Sequence, residues 1–229
     1  MCFSATASFA AAGVLGATGA VALAGAIRGR LGAGWIVFAA FPLIFALQQA
    51  LEGLVWLGLE GRLPPALAPW TTAGFLFFAL LFWPVAGPLT GRLIETEPRR
   101  AQLFTGLTAL GAGLGVYLFG RALAHSVVPQ AVGGRLVYLA GVDYPAGIEF
   151  VYLAVAAGAL LASSHREARL FGGALTASFA VTALSWDVKT LPSVWCFFAA
   201  ICSLVAAWGV LRRVSAAQAL TRRRPASWG

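Results

Sequence analysis

Apolar residues in this chain fall into long blocks, and the short polar stretches between them carry most of the charge. A bilayer core about 30 Å thick is crossed by roughly 20 apolar residues of helix. Seven stretches reach that length: residues 5–27, 34–59, 67–89, 101–123, 144–162, 168–186 and 192–211. Inside hydrocarbon every backbone polar group must bond within its own segment, so each run is predicted as a helix. The expected fold is an all-α polytopic membrane protein, a single bundle over residues 1–229 ending in a short basic tail at 212–229. Pro84 and Pro88 are expected to kink or end the third helix. Between helices four and five, residues 125–139 place apolar, partly β-branched runs on either side of Gly133-Gly134. That pair tolerates the positive φ angles of a tight turn, so a short external β-hairpin and an irregular loop both fit.

Basic residues orient the bundle. Arg28, Arg30, Arg92, Arg99, Arg100, Arg166, Arg169, Arg212, Arg213, Arg222, Arg223 and Arg224 fall on one side, against Arg62, Arg121, Arg135 and Lys189 on the other. The richer side is expected in the cytoplasm. With seven crossings the N-terminus then lies outside and the C-terminus inside. No basic residue precedes Arg28, so the first apolar run reads as a retained span rather than a cleaved signal.

Composition agrees with the pattern. Sixty per cent of residues are hydrophobic and 10% charged, with a mean hydropathy of +0.84, where a soluble domain carries about a quarter charged. The net charge of +8 would point to nucleic acid in a soluble chain. Here the basic residues sit between apolar runs, so anionic lipid headgroups are the expected partners and nucleic acid is not.

Ionisable groups inside spans are rare and mark candidate sites. Two carboxylates lie well inside predicted helices, Glu52 in helix two and Glu149 in helix five, both in the outer half. Gln48, Glu52 and Trp56 recur at four-residue spacing on one helix face, with Gln49 beside them. Ser178, Thr182 and Ser185 make a stripe on helix six, and Ser193, Cys196 and Ser203 another on helix seven. Ser4 and Ser8 open helix one, and Asp187 and Lys189 lie at the outer junction of helices six and seven. The inner half offers chiefly Thr105 and Thr108. A polar pocket opening outward is expected, formed by Cys2, Ser4, Gln48, Gln49, Glu52, Trp56, Glu149, Asp187 and Cys196.

Each element has a plainer reading. Hydroxyls in membrane helices commonly bond their own backbone or a neighbouring helix. The glutamines can form a network with a protonated Glu52. Trp56, Trp70, Trp186 and Trp195 can be an interfacial belt. Cys196 can be a small buried hydrophobe, and Lys189 can snorkel or pair with Asp187. Cys2, exposed if Met1 is removed, would offer an amine and a thiolate to a soft metal, with Glu52 and Glu149 as further ligands. His125 in the outer loop is a further nitrogen ligand in principle, but two histidines in all exclude a multi-His centre.

Four segments resemble an uncharacterised family of bacterial multi-helix membrane proteins: MCFSATASF at residues 1–9, PLIFALQQALEGLVW at 42–56, Phe77-Phe78 followed by Trp83-Pro84, and SVWCFFAA at 193–200. The resemblance implies a multi-span protein of the bacterial inner membrane and supplies no catalytic residues or cofactor. The leading expectation is a sensor-like protein that binds a small ligand or metal in the outer half. The alternatives are an accessory subunit or assembly factor joined to a membrane-protein partner, for which Gly111 and Gly115 offer a close-contact pair, and a membrane-embedded enzyme using Cys2, Cys196, Glu52 or Glu149. Transport has less in its favour: no pair of broken helices and no inverted repeat is evident.

Overall fold

The computed structural model describes residues 4–138, 142–185 and 190–223, without the side chains of 220–223. Its helices are α1 (Ala5–Arg28), α2 (Ala33–Leu59), α3 (Pro65–Ile94), α4 (Pro98–Ala124), α5 (Ile148–Leu161), α6 (Arg166–Ser185) and α7 (Leu191–Arg223). Six of them are long and apolar enough to cross a membrane; α5 is not.

Local sequence explains the boundaries. Ser4 caps α1, its Oγ accepting from Ala7 N at 3.2 Å. The α2 helix loosens at Ala40, just before Phe41-Pro42, where proline removes a donor from the ladder. The α3 helix widens into a π-helical stretch at Phe77–Phe82, then continues as Trp83–Ile94 with Pro88 inside it. Proline therefore does not end the third helix. The last helix runs on to Arg223, so residues 212–223 continue it.

The fifth run departs most from expectation. Residues 144–147 are not helical, and α5 begins only after Gly147. Its 14 residues include a π-helical stretch at Ala154–Gly158 and cover about 21 Å at 1.5 Å per residue. Even so, the segment travels the length of α4. At one end Arg121 Nη2 donates to Asp143 O at 3.0 Å and Tyr144 Oη to Leu118 O at 2.9 Å; at the other Arg100 donates to Ala162 O. An extended lead-in and a short helix thus run alongside α4 where one long helix was expected.

Residues Gln130–Val132 and Arg135–Val137 (β1 and β2) pair antiparallel across Gly133-Gly134, whose φ angles are +57° and +73°. The strand β2 carries Leu136 and, just beyond it, Tyr138 into the bundle; both are fully buried, and the Tyr138 ring stacks on Phe75 at 4.7 Å. Gly111 and Gly115 let α4 lie against the backbone of α3. A Cβ on Gly111 would sit 1.9 Å from Pro84 O, and one on Gly115 2.9 Å from Leu81 Cα. The close-contact pair is thus spent inside the chain.

Two apolar clusters fill the bundle, one toward each end. The first joins Trp35, Phe38, Phe41, Phe45, Phe171 and Val210, and the second Val55, Phe75, Leu136, Tyr138, Tyr152 and Trp195. Arg100, Arg169 and Arg213 gather at the end away from the hairpin, hereafter the basic end.

Candidate functional site

The α2 face that the four-residue spacing predicted is buried at the hairpin end. Gln48 and Gln49 have 0% exposure, Glu52 has 2%, and Trp56 is buried. Ser193 of α7 donates to Glu52 Oε1 at 2.5 Å. Trp83, the first residue after the π-helical stretch of α3, donates from Nε1 to Gln48 Oε1 at 2.6 Å and stacks on Phe45 at 3.8 Å. Cys196 lies beside Gln48, and both Cys196 and Tyr138 are within electrostatic reach of Glu52. The Gln49 amide lies against Glu52 without a hydrogen bond of good geometry. Among the described residues, Gln48 Nε2, both amide atoms of Gln49, Trp56 Nε1 and Tyr138 Oη have no hydrogen-bond partner.

On the other side of Cys196 a cavity of about 640 Å³ opens at the hairpin end. Tyr152, Phe179, Trp195, Leu118 and Pro192 line it, with Asp143 and Glu149. Among the described residues that line it, none is basic. Tyr152 donates to Ala79 O at 2.5 Å, capping a carbonyl in the π-helical stretch of α3. Such wide turns recur at functional sites because they free backbone groups and re-aim side chains. Trp195 Nε1 donates to Ser178 Oγ at 3.1 Å, which turns its ring edge-on toward Tyr152 and Phe179.

Other predicted site residues fall differently. Glu149 stands in the first turn of α5, partly exposed, on the cavity wall. Ser4 serves as the α1 cap. Cys2 and Asp187, with Trp186 and Lys189, lie outside the described residues. The helix-six stripe largely bonds its own backbone, Ser178 to Leu175 O and Thr182 to Ser178 O, and Ser203 of α7 bonds Ala200 O. Ser193 reaches a carboxylate instead, that of Glu52. Trp70 is exposed, as a belt residue would be, whereas Trp56 and Trp195 are buried. His125 bonds Arg121 O within its own helix end. Among the described residues no three His, Cys, Asp or Glu side chains lie close enough to hold a metal.

A family model matches residues 1–222, that of DUF6629, a family of unknown function. The chain belongs to DUF6629. No curated protein and no solved structure matches it.

In this DUF6629 chain the basic end contrasts with the hairpin end. Glu95, buried just past α3, accepts from Ser164 N at 2.8 Å, Ser164 Oγ at 2.6 Å, Ser163 Oγ at 3.4 Å, Thr96 N at 3.1 Å and Glu97 N at 3.4 Å. Burial works against its ionisation, but these donors outweigh it and hold the carboxyl down at about 2. Arg213 stands 3.8 Å over the Trp35 ring and pairs with Glu167 at 3.2 Å, while His165 packs edge-on against the same ring. This end is locked by paired charges.

Sequence reasoning missed Tyr138, Tyr152 and Trp83. Tyr152 was within reach, since it follows Glu149 by one helical turn and both line the cavity. Tyr138 carried a weaker signal, two positions beyond Leu136 on the same strand face. Nothing local marks Trp83, because its partner is 35 residues away.

Proposed function

We propose that this protein crosses the bacterial inner membrane seven times, with its basic end in the cytoplasm, and binds a small amphiphile with a cationic head in the cavity at the hairpin end. The seventh crossing is α5 with its extended lead-in, whose two ends are tied to opposite ends of α4.

The cavity carries the ligand reading. At about 640 Å³ it falls within the range of roughly 300–1,000 Å³ usual for small-molecule sites, which are mostly apolar with a few placed polar groups. The rings of Tyr152, Phe179 and Trp195 accept an apolar body. Aromatic faces and the carboxylates of Asp143 and Glu149 favour a positive head over a negative one.

The test uses the full chain in lipid nanodiscs, titrated with decyltrimethylammonium and, separately, decyl sulfate. Saturable binding of one equivalent of the cation is expected. Glu149→Gln should weaken it about tenfold, equivalent to about 1.4 kcal/mol. Ala79→Phe, which fills the wall, should abolish it. Equal, unsaturable uptake of both amphiphiles would mean partition into lipid and would sink the proposal.

A further inference from the structure

Behind the Cys196 wall lies a second feature, separate from the cavity. Glu52 is nearly fully buried, and the ion pairs among the described residues all join other carboxylates. Its Oε1 is held by Ser193 Oγ at 2.5 Å. Among the described residues, four buried donors of this cluster have no partner in good hydrogen-bond geometry, Gln48 Nε2, Gln49 Nε2, Trp56 Nε1 and Tyr138 Oη, and neither does one buried acceptor, Gln49 Oε1. All four of these residues are more than nine-tenths buried. A single orphaned polar group costs about 1–3 kcal/mol. Buried polar groups are otherwise almost always paired, so five such atoms around one carboxyl mark a place built to hold something.

The donors say what it holds. Trp56 Nε1 can only donate. The Gln48 amide is fixed in one sense, because its Oε1 accepts from Trp83, which leaves Nε2, with Cys196 beside it, as a donor. N–H groups turned toward a site repel a metal cation and seek lone pairs. Gln49 Oε1 needs a hydrogen instead. Water both accepts and donates, and it occupies polar sites that offer two to four partners. A carboxyl in an apolar span without a cation beside it is cheapest as the neutral acid. Water beside it gives the proton a route on and off.

We infer that Glu52, with Gln48, Gln49, Trp56 and Tyr138, forms a hydrated proton-binding site, in which ordered water bridges the orphaned donors to the Glu52 carboxyl and the carboxyl exchanges a proton with that water. Among the described residues, the titratable groups facing Glu52 are Tyr138, beyond β2, and Cys196 of α7, and α1 and α3 present none. The proton leaves the carboxyl as the water oxygen accepts it, and returns by the reverse step.

Infrared difference spectroscopy of the full chain in nanodiscs tests this. A carbonyl band of a protonated, buried carboxyl should grow as pH falls, shift within minutes of transfer to D₂O, and be missing from Glu52→Gln. A band unmoved by pH and by D₂O would make Glu52 a dry, permanently protonated hydrogen-bonding group and overturn the inference. No such band at any pH would overturn it as well, since the carboxylate would then be fixed in its ionised form. If Glu52→Gln does not fold, Ser193→Ala carries the test. Losing the 2.5 Å hydrogen bond must move the band while leaving it titratable, and a band that stays in place is not that of Glu52, which again refutes the proposal.

Discussion

Replacing Glu95 by Gln should weaken the bundle in a way that depends on pH. The carboxylate accepts five hydrogen bonds from Ser163, Ser164, Thr96 and Glu97, and so joins the end of α3 to the turn between α5 and α6. Its folded value of about 2 lies below the ordinary 4.5. A depressed carboxylate stabilises the fold fully above its unfolded value and loses that contribution as pH falls toward the folded one. At 1.36 kcal/mol per unit the contribution at pH 7 is about 3 kcal/mol, and about half of it survives at pH 3. An amide keeps one acceptor but turns an N–H toward groups that are themselves donors, so Gln cannot replace the carboxylate. Unfolding in mixed detergent micelles should show Glu95→Gln less stable by about 3 kcal/mol at pH 7. The gap should narrow by pH 3 and nearly close at pH 2. A gap of the same size at pH 3 and pH 7, or one below about 0.5 kcal/mol at pH 7, would refute the assignment of this stability to the charge.

Two further outcomes are expected. Gly111→Ala places a methyl 1.9 Å from Pro84 O and should destabilise by about 1–3 kcal/mol or more through overpacking. Gly113→Ala, with nothing within 4 Å, should be neutral or gain about 0.5–1 kcal/mol; thermal melts of the pair give the comparison. Tyr144→Phe should lower stability by about 1 kcal/mol in the same melts by losing the bond to Leu118 O.

The helices were legible in the sequence because hydrocarbon leaves the backbone one solution, and a run of apolar residues states its length openly. The same logic misjudged residues 144–162. Hydropathy counts apolar residues, but the span begins with Tyr144-Pro145-Ala146-Gly147, and neither Pro145 nor Gly147 favours helix. Glu149 moved with that boundary, from the interior of an expected helix to the first turn of a shorter one. The π-helical stretches of α3 and α5 were hidden for a different reason. They arise where the two helices pack, with Gly87 against Ala156 O and Tyr152 bonding Ala79 O, and no local pattern reports a contact between segments about 70 residues apart.

The polar face of α2 was readable for the opposite reason, since Gln48, Glu52 and Trp56 announce their shared direction by spacing alone. What spacing could not give was the division of labour around them. The sequence suggested one outward pocket, whereas the structure has two neighbouring features that meet at Cys196. Its side chain lines the cavity and also lies beside Gln48, within reach of Glu52. Residues that share a wall do not contribute independently. A substitution at Cys196 or Gln48 will therefore disturb ligand binding and proton exchange together and cannot separate them. Glu149 touches the cavity alone and Glu52 is absent from its lining, so those two positions resolve the roles: Glu149→Gln should leave the Glu52 band in place while weakening the amphiphile. If both readouts move with Glu149, the cavity and the carboxyl cluster are one site, and the thiol between them is its centre rather than its partition.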